Sequence, residues 1–267
     1  MIPYPHISPV IVRIGPLEIR WYGLMYLLGF VTSYILFQYQ IKKKKIKSIT
    51  KETVENLYFW LILALILGAR LGYVLFYNLP YYIENPLKVF AVWQGGMSFH
   101  GGLIGSIIAG IIFCRKNNID FWQLADLFVP TTPPGLAFGR LGNFINGELF
   151  GRPSNVPWAM IFPGGGDIPR HPSQLYEAFL EGIFLFTVIW VLKDRLRTKG
   201  MVLSVFIILY GFIRFMVEFT REPDPQLGYV LGPFTMGQIL SFSMMAAGFA
   251  LAVWRKRAAG KETGKSL

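Results

Sequence analysis

Three stretches without a single Asp, Glu, Lys or Arg dominate this chain: residues 21–41, 89–114 and 225–254. Each is as long as, or longer than, the ~20 residues that carry a helix across the hydrocarbon core of a bilayer. Backbone in hydrocarbon must satisfy its own N–H and C=O groups, so helices are the expected spanning form. Composition agrees. Charged residues make up 15% of the 267, where a soluble domain carries roughly a quarter. The expected fold class is an all-α polytopic membrane protein.

Hydropathy marks seven spans, at about residues 21–41, 56–77, 97–114, 121–138, 174–192, 201–218 and 234–254. Span four is the weakest, because Asp126 and the run Pro130–Pro134 (PTTPP) interrupt it. The net charge of +11 follows the spans rather than forming a nucleic-acid footprint. Basic clusters follow spans one, three, five and seven, with six, two, four and five Lys or Arg, which places 17 of the 26 on one side. By the positive-inside rule that side is cytoplasmic, the N-terminus is outside and the C-terminus inside. Of the nine remaining basic residues only Lys88 is a lysine. Arginine at such positions suits bidentate work on phosphate or carboxylate. For Arg13, Arg20 and Arg152 the preferred reading is snorkelling at helix ends.

The whole chain, 1–267, reads as one integral membrane domain. Residues 139–172 form an active-site loop and a small extracytoplasmic cap, since the Gly/Pro-rich part 151–172 is too polar to span. No basic n-region with an apolar h-region opens the sequence, so no cleavable signal peptide is expected. Cys114 is expected to pack rather than react. Span three carries small residues at four-residue spacing (Gly101, Gly105, Ala109 and Gly102, Ser106, Gly110), which suits close helix packing or a groove for an acyl chain. Gly68 and Gly72 are read as packing residues.

Ionisable groups inside spans are costly and are functional candidates by default. In "YGFIRFMVEFTREPD" (210–224), Tyr210, Arg214 and Glu218 recur every four residues with Arg221 one turn beyond. Arg70 is expected to pair structurally with a carboxylate such as Glu148 or Asp126. "FGRLGNFINGELFG" (138–151) sets Arg140, Asn143, Asn146 and Glu148 among four glycines. His100, within "GGMSFHGGLIG" (95–105), is a candidate proton acceptor. His171 reads as a cap or loop contact. The three histidines, His6 among them, make no metal set, and neither a serine nucleophile elbow nor a phosphate loop is present. Metal and cofactor are therefore not expected, and any nucleophile must come from the substrate.

Five blocks together resemble the bacterial prolipoprotein diacylglyceryl transferase family: "WYGLMYLLGF" (21–30), 95–105, "GRLGNFINGELFG" (139–151), "RHPSQLYE" (170–177) and 210–224, in the family's order. The resemblance implies a seven-helix, multi-pass enzyme of the bacterial plasma (inner) membrane, with its active site toward the extracytoplasmic face. It implies transfer of the diacylglyceryl group of phosphatidylglycerol to the thiol of a lipobox cysteine in a prolipoprotein signal peptide, releasing glycerol 1-phosphate. The expected partners are thus phosphatidylglycerol, membrane lipid and the prolipoprotein, with no nucleic acid. Motif by motif, it singles out Tyr22, His100, Arg140, Asn143, Asn146, Glu148, Tyr210, Arg214, Glu218 and Arg221. Arg140 and Arg214, with Arg221 third, are expected to hold the lipid phosphate. Asn143 and Asn146 are expected on the headgroup glycerol or lipid ester, and Glu148 on an arginine or a headgroup hydroxyl. For the base, His100 stands first, with Glu218 and Tyr22 as alternatives.

The lysine skew makes the topology testable. Cysteines placed at Lys44 and Lys199 should label only in permeabilised cells, and one at Gly165 should label in intact cells. Labelling at Gly165 from the cytoplasmic side alone would invert the topology.

Overall fold

A computed structural model describes residues 2–15, 17–223 and 228–264. Residues 225–227, the start of the last uncharged run, Asp224 of the block 210–224, and Lys265 of the basic tail lie outside the described residues.

Helices dominate. They are α1 (Trp21–Lys44), α2 (Lys51–Tyr77), α3 (Leu79–Glu84), α4 (Phe99–Lys116), α5 (Phe121–Phe128), α6 (Pro133–Asn146), α7 (Ser173–Glu177), α8 (Leu185–Leu192), α9 (Met201–Val217) and α10 (Met236–Gly264). A π-helical turn, Ala178–Phe184, joins α7 to α8 into one continuous helix, Ser173–Leu192. Among the described residues, five helices are long and apolar enough to cross a membrane: Trp21–Lys44, Lys51–Tyr77, Phe99–Lys116, Ser173–Leu192 and Met236–Lys261. Their flanks expose large apolar side chains, such as Phe59, Trp60, Leu67 and Leu71 on α2, as lipid contact requires. The chain is a multi-pass helical membrane protein.

The architecture is the helical one expected, with two short hairpins beside the helices: strands Val10–Ile14 (β1) and Leu17–Arg20 (β2) pair antiparallel, as do Tyr229–Leu231 (β3) and Phe234–Thr235 (β4). Each pair turns at a glycine with positive φ, Gly15 and Gly232. Residues 139–146, expected within the loop, are helical, continuing α6, and the helix stops at Gly147 in the left-handed conformation. The break anticipated in span four is present: α5 ends at Phe128, a 3₁₀ turn Val129–Thr131 follows, and α6 starts on its two prolines.

The chain forms two compact units, residues 1–37 with 125–267, and residues 38–124. In the second, α2 and α4 run antiparallel in close contact. A Cβ on Gly68 would come within 2.5 Å of the Gly101 carbonyl oxygen, and one on Gly105 within 2.5 Å of that of Ala64. The glycines of span three are therefore filled by α2, the packing alternative. Arg70 is buried and spends all five N–H donors on backbone carbonyls, of Lys88, Val89, Ala91, Gly95 and Gly96. It holds the 3₁₀ turns Pro86–Phe90 and Val92–Gln94 and the glycines after them, and among the described residues it pairs with no carboxylate, contrary to expectation. That segment's carbonyls need donors in an apolar setting, and one planar guanidinium supplies them. Cys114 is buried, consistent with packing.

In the first unit, Leu185, Ile189, Val202, Ile213 and Val217 form a core across α8 and α9. Asp126 accepts from the backbone N–H of Gly200 (2.6 Å) and Leu203 (2.9 Å), so it caps the N-terminus of α9. Its charge serves helix geometry. Ser33 on α1 donates to Thr131 (2.7 Å), whose own hydroxyl donates to the Phe128 carbonyl at the break. Tyr4 donates to the Phe144 carbonyl (2.7 Å) at the end of α6 and packs with Phe144, Met160 and Phe162.

Candidate functional site: a closed ring of alternating charges

Six ionisable side chains from α6, the α7–π–α8 helix and α9 with its C-terminal end meet in the first unit. Arg140 Nη2 lies 2.7 Å from Glu177 Oε2, and Glu177 Oε1 accepts from Arg221 Nη1 at 2.7 Å. Arg221 Nε is 3.3 Å from Glu218 Oε2, which is 2.8 Å from Arg214 Nη2. Arg214 Nε then lies 4.0 Å from Glu181 Oε1, and Glu181 Oε2 closes the ring 3.8 Å from Arg140 Nη2. Charges alternate all the way round. Three guanidiniums and three carboxylates leave the ring formally neutral.

The ring is layered. Glu177 and Glu181 are fully buried (0% exposed), whereas Arg140, Arg214 and Arg221 keep 22%, 17% and 13% of their side chains exposed. Cations thus face the open side and carboxylates stand behind them. Hydrogen bonding is incomplete. Among the described residues, Arg214 Nη1 and both oxygens of Glu181 are buried without a hydrogen-bond partner. Buried donors and acceptors left unpaired cost stability.

Local sequence explains the assembly. Glu177 ends α7 and Glu181 sits one turn on, within the π turn, so both fall on one side of the helix. Gly182 lets this segment touch α6, since a Cβ there would collide with Ala137. Isolated π turns recur at functional sites. Glu218 follows α9 and rests on the N-terminus of α10, where the helix dipole favours a carboxylate. Thr235 donates to Glu218 Oε1 (2.9 Å) and also closes a capping box with Gln238, through Thr235 N to Gln238 Oε1 (3.1 Å) and Gln238 N to Thr235 Oγ1 (3.3 Å).

The polar residues of 139–151 divide. Arg140 joins the ring. Asn143 (2.9 Å) and Asn146 (3.1 Å) both donate to Glu148 Oε1, making a second, amide–carboxylate cluster at the end of α6. Glu148 therefore orients two amides; its side-chain contacts are not to an arginine. Gln174 donates to its backbone carbonyl (2.6 Å) and pins this corner to α7. Tyr22 packs on Gly142, where a Cβ would meet its ring at 2.9 Å, and its hydroxyl bonds that of Tyr26 at 3.2 Å. Tyr210, one turn before Arg214 on α9, stacks on Phe206. His100 lies at the start of α4, in the other unit, exposed and edge-on to Phe99.

The cap is strapped to the ring's edge. Gly151 bridges antiparallel to Arg221, and Arg152 N–H donates to the Thr220 carbonyl (2.9 Å). The Arg152 side chain donates to the carbonyl of Arg221 (2.6 Å) and to the Tyr229 hydroxyl (3.1 Å), so it does not snorkel as expected. Arg13, from across the β1–β2 hairpin, and Arg20, on the same strand, both pair with Glu18 while their own side chains stay exposed. That pairing holds the Glu18 carboxyl below its usual range, Arg20 contributing most. His171 is a loop contact, 3.1 Å from the Tyr176 hydroxyl, and burial pushes its pKa down, which favours the neutral ring.

Glu177 and Glu181 were not among the residues singled out from sequence. The signal was present: two carboxylates four apart inside a predicted span without other charges, the same pattern that drew attention to Arg214 and Glu218. The ring's closure through them was not visible, because it joins residues from three separate helices.

Residues 9–254 match the family model described as prolipoprotein diacylglyceryl transferase. Curated relatives carry the name phosphatidylglycerol–prolipoprotein diacylglyceryl transferase. One from Geobacter sulfurreducens is 55% identical over 94% of this chain and 96% of its own length. Those from Desulfotalea psychrophila and Bordetella parapertussis are 51% and 52% identical, covering 94% and 96% of this chain and 94% and 98% of theirs.

The seat of Glu218 yields a paired test on one helix. A Cβ at Gly237 would lie 2.5 Å from Glu218 Oε1, whereas at Gly260 it would meet nothing within 4 Å. Gly237→Ala should lower stability by about 1–3 kcal/mol through overpacking against a buried carboxylate. Gly260→Ala should raise it by roughly 0.4–1 kcal/mol. Thermal unfolding in detergent reads both, and equal effects at the two sites would remove the steric account.

Proposed function

The chain belongs to the prolipoprotein diacylglyceryl transferase family, and from that premise we infer what its charged ring does. The protein transfers the diacylglyceryl group of phosphatidylglycerol to prolipoproteins, the first step of lipoprotein maturation. In the transfer, a sulfur–carbon bond forms between the lipobox cysteine and the lipid's glycerol carbon. The bond from that carbon to the phosphate oxygen breaks. The electron pair leaves with glycerol 1-phosphate, whose phosphate goes from one negative charge toward two, and the thiol proton passes to a base.

The observation that carries this reading is the partly exposed arginine face of the ring. A phosphodiester seated there meets Arg140 and Arg214, with Arg221 beside them. Charge-assisted bonds to the departing phosphate strengthen as it gains charge, so they favour the transition state over the bound lipid. Glu218 positions Arg214 and Arg221. Asn143 and Asn146, oriented by Glu148, receive the headgroup glycerol or lipid ester through their remaining amide atoms. Tyr22 and Tyr210 line the same unit and complete the binding surface. For the base, the order read from sequence stands as the proposal to test, His100 first with Glu218 and Tyr22 as the alternatives, and the latter two belong to the ring's own unit.

The seven apolar segments read from sequence cross the inner membrane, with the N-terminus outside, the C-terminus inside and the active face extracytoplasmic. Support comes from the five long helices and the one-sided lysines. α9, at 17 residues, spans with its charged end in the headgroup region, and the broken α5–α6 pair completes the seventh crossing. Gly165 is buried, so the labelling cysteine on the cap belongs at exposed Asp167.

Two tests follow. Arg140→Ala and Arg214→Ala should each cost about 3–4 kcal/mol of transition-state stabilisation, a hundredfold or more in rate. Arg140→Lys should recover only part, because an ammonium lacks the planar fork. Thioether formation from phosphatidylglycerol and a lipobox peptide, followed by mass spectrometry, is the measurement. Near-normal product from folded Arg140→Ala would remove the clamp. For the base, His100→Asn should slow transfer at neutral pH and recover rate at alkaline pH, where the thiolate forms unaided. Failure to recover would assign His100 to substrate positioning.

A further inference from the structure

Glu181 differs from the other two carboxylates of the ring. Glu177 accepts a hydrogen bond from Arg221, and Glu218 accepts one from Thr235. Glu181 accepts none among the described residues, although it is fully buried and sits 3.8 Å from Arg140 and 4.0 Å from Arg214. Its oxygens therefore do not fix the geometry of either guanidinium. What remains is charge. At these separations, away from bulk water, a carboxylate acts strongly on both cations.

We propose that Glu181 is a positioning residue of a particular kind: a fixed counter-charge behind Arg140 and Arg214 that limits how tightly the ring holds anionic phosphate. The proposal rests on the phosphate-clamp reading given above. Chemistry gives it a purpose. Each turnover leaves a phosphate monoester approaching two negative charges against three guanidiniums, and that product must depart before the next lipid enters. A ring with three cations and only two carboxylates would keep it. With Glu181 present the ring is neutral, so its net attraction for the released monoester is weaker and the product departs more readily. The groups facing Glu181 are Arg140 on α6, Glu177 on its own helix, and Tyr210 and Arg214 on α9, with Arg221 farther round the ring.

The absence of hydrogen bonds makes the idea separable from a structural role. Glu181→Gln removes the charge while keeping shape and breaking no hydrogen bond. The assay is thioether formation by purified full-length protein with phosphatidylglycerol and a lipobox peptide, with sn-glycerol 1-phosphate added as inhibitor. In Glu181→Gln the inhibition constant for sn-glycerol 1-phosphate and the KM for phosphatidylglycerol should both fall at least fivefold, with kcat not raised. Glu181→Asp, which keeps the charge, should stay within about twofold of the parent, the range in which individual contacts vary. Unchanged or weaker inhibition in Glu181→Gln overturns the proposal. If that variant does not fold, Glu181→Met, uncharged and similar in volume, must show the same tightening. Failure of both to fold also overturns it, because a role by charge alone requires that the neutral forms assemble. Arg140→Ala and Arg214→Ala separate the two readings. If they lose product inhibition while Glu181→Gln is unchanged, the clamp stands and the counter-charge falls. If they retain parental inhibition, the clamp itself falls.

Discussion

Glu177, fully buried between Arg140 and Arg221, is the contact around which the first unit is organised. A carboxylate at that depth is tolerable only beside cations, and each arginine in turn needs its own counter-charge. The requirement propagates from Arg221 to Glu218, from Glu218 to Arg214 and from Arg214 to Glu181 until it returns to Arg140. Truncating Glu177 deprives Arg140 and Arg221 of their nearest counter-charge, which in buried settings costs about 3–5 kcal/mol. The apolar contacts around the ring serve this closure. Gly182 against Ala137 draws the π turn onto α6, and Gly237 opens the N-terminus of α10 to Glu218.

Neutrality fits the proposed reaction. Carboxylates behind the arginines lower the hold on a monoanionic lipid and on its dianionic leaving group alike, while the attraction still grows as charge develops. In that reading the arginines' partly exposed edges are what the substrate meets. The neighbouring Asn143–Asn146–Glu148 cluster is uncoupled from the ring's hydrogen bonds and can address the uncharged part of the headgroup.

Not every charge in an apolar segment serves chemistry, and the contacts sort them. Arg70 spends its donors on five carbonyls of an irregular segment, and Asp126 caps α9. Arg152 ties the cap to the carbonyl of Arg221. Each answers the same demand, that backbone groups outside regular helix find partners where water is scarce. The cost of an intramembrane charge thus marks importance without saying whether the partner is backbone or substrate.

The sequence by itself determined the membrane class, the approximate positions of the helices, the break at Pro130–Pro134 and the polar residues of the blocks 139–151 and 210–224. These are properties of composition and local period: apolar length, proline's missing donor and the four-residue recurrence of Arg214 and Glu218 are all readable one segment at a time. Tertiary structure decided which of those charges meet. It brought Glu177 and Glu181 beside arginines from two other helices and turned Glu148 toward two amides. It assigned Arg70 to backbone carbonyls and Glu218 to the start of α10. Pairing of this kind depends on distances between segments far apart in the chain, and a one-dimensional pattern of charges does not contain them.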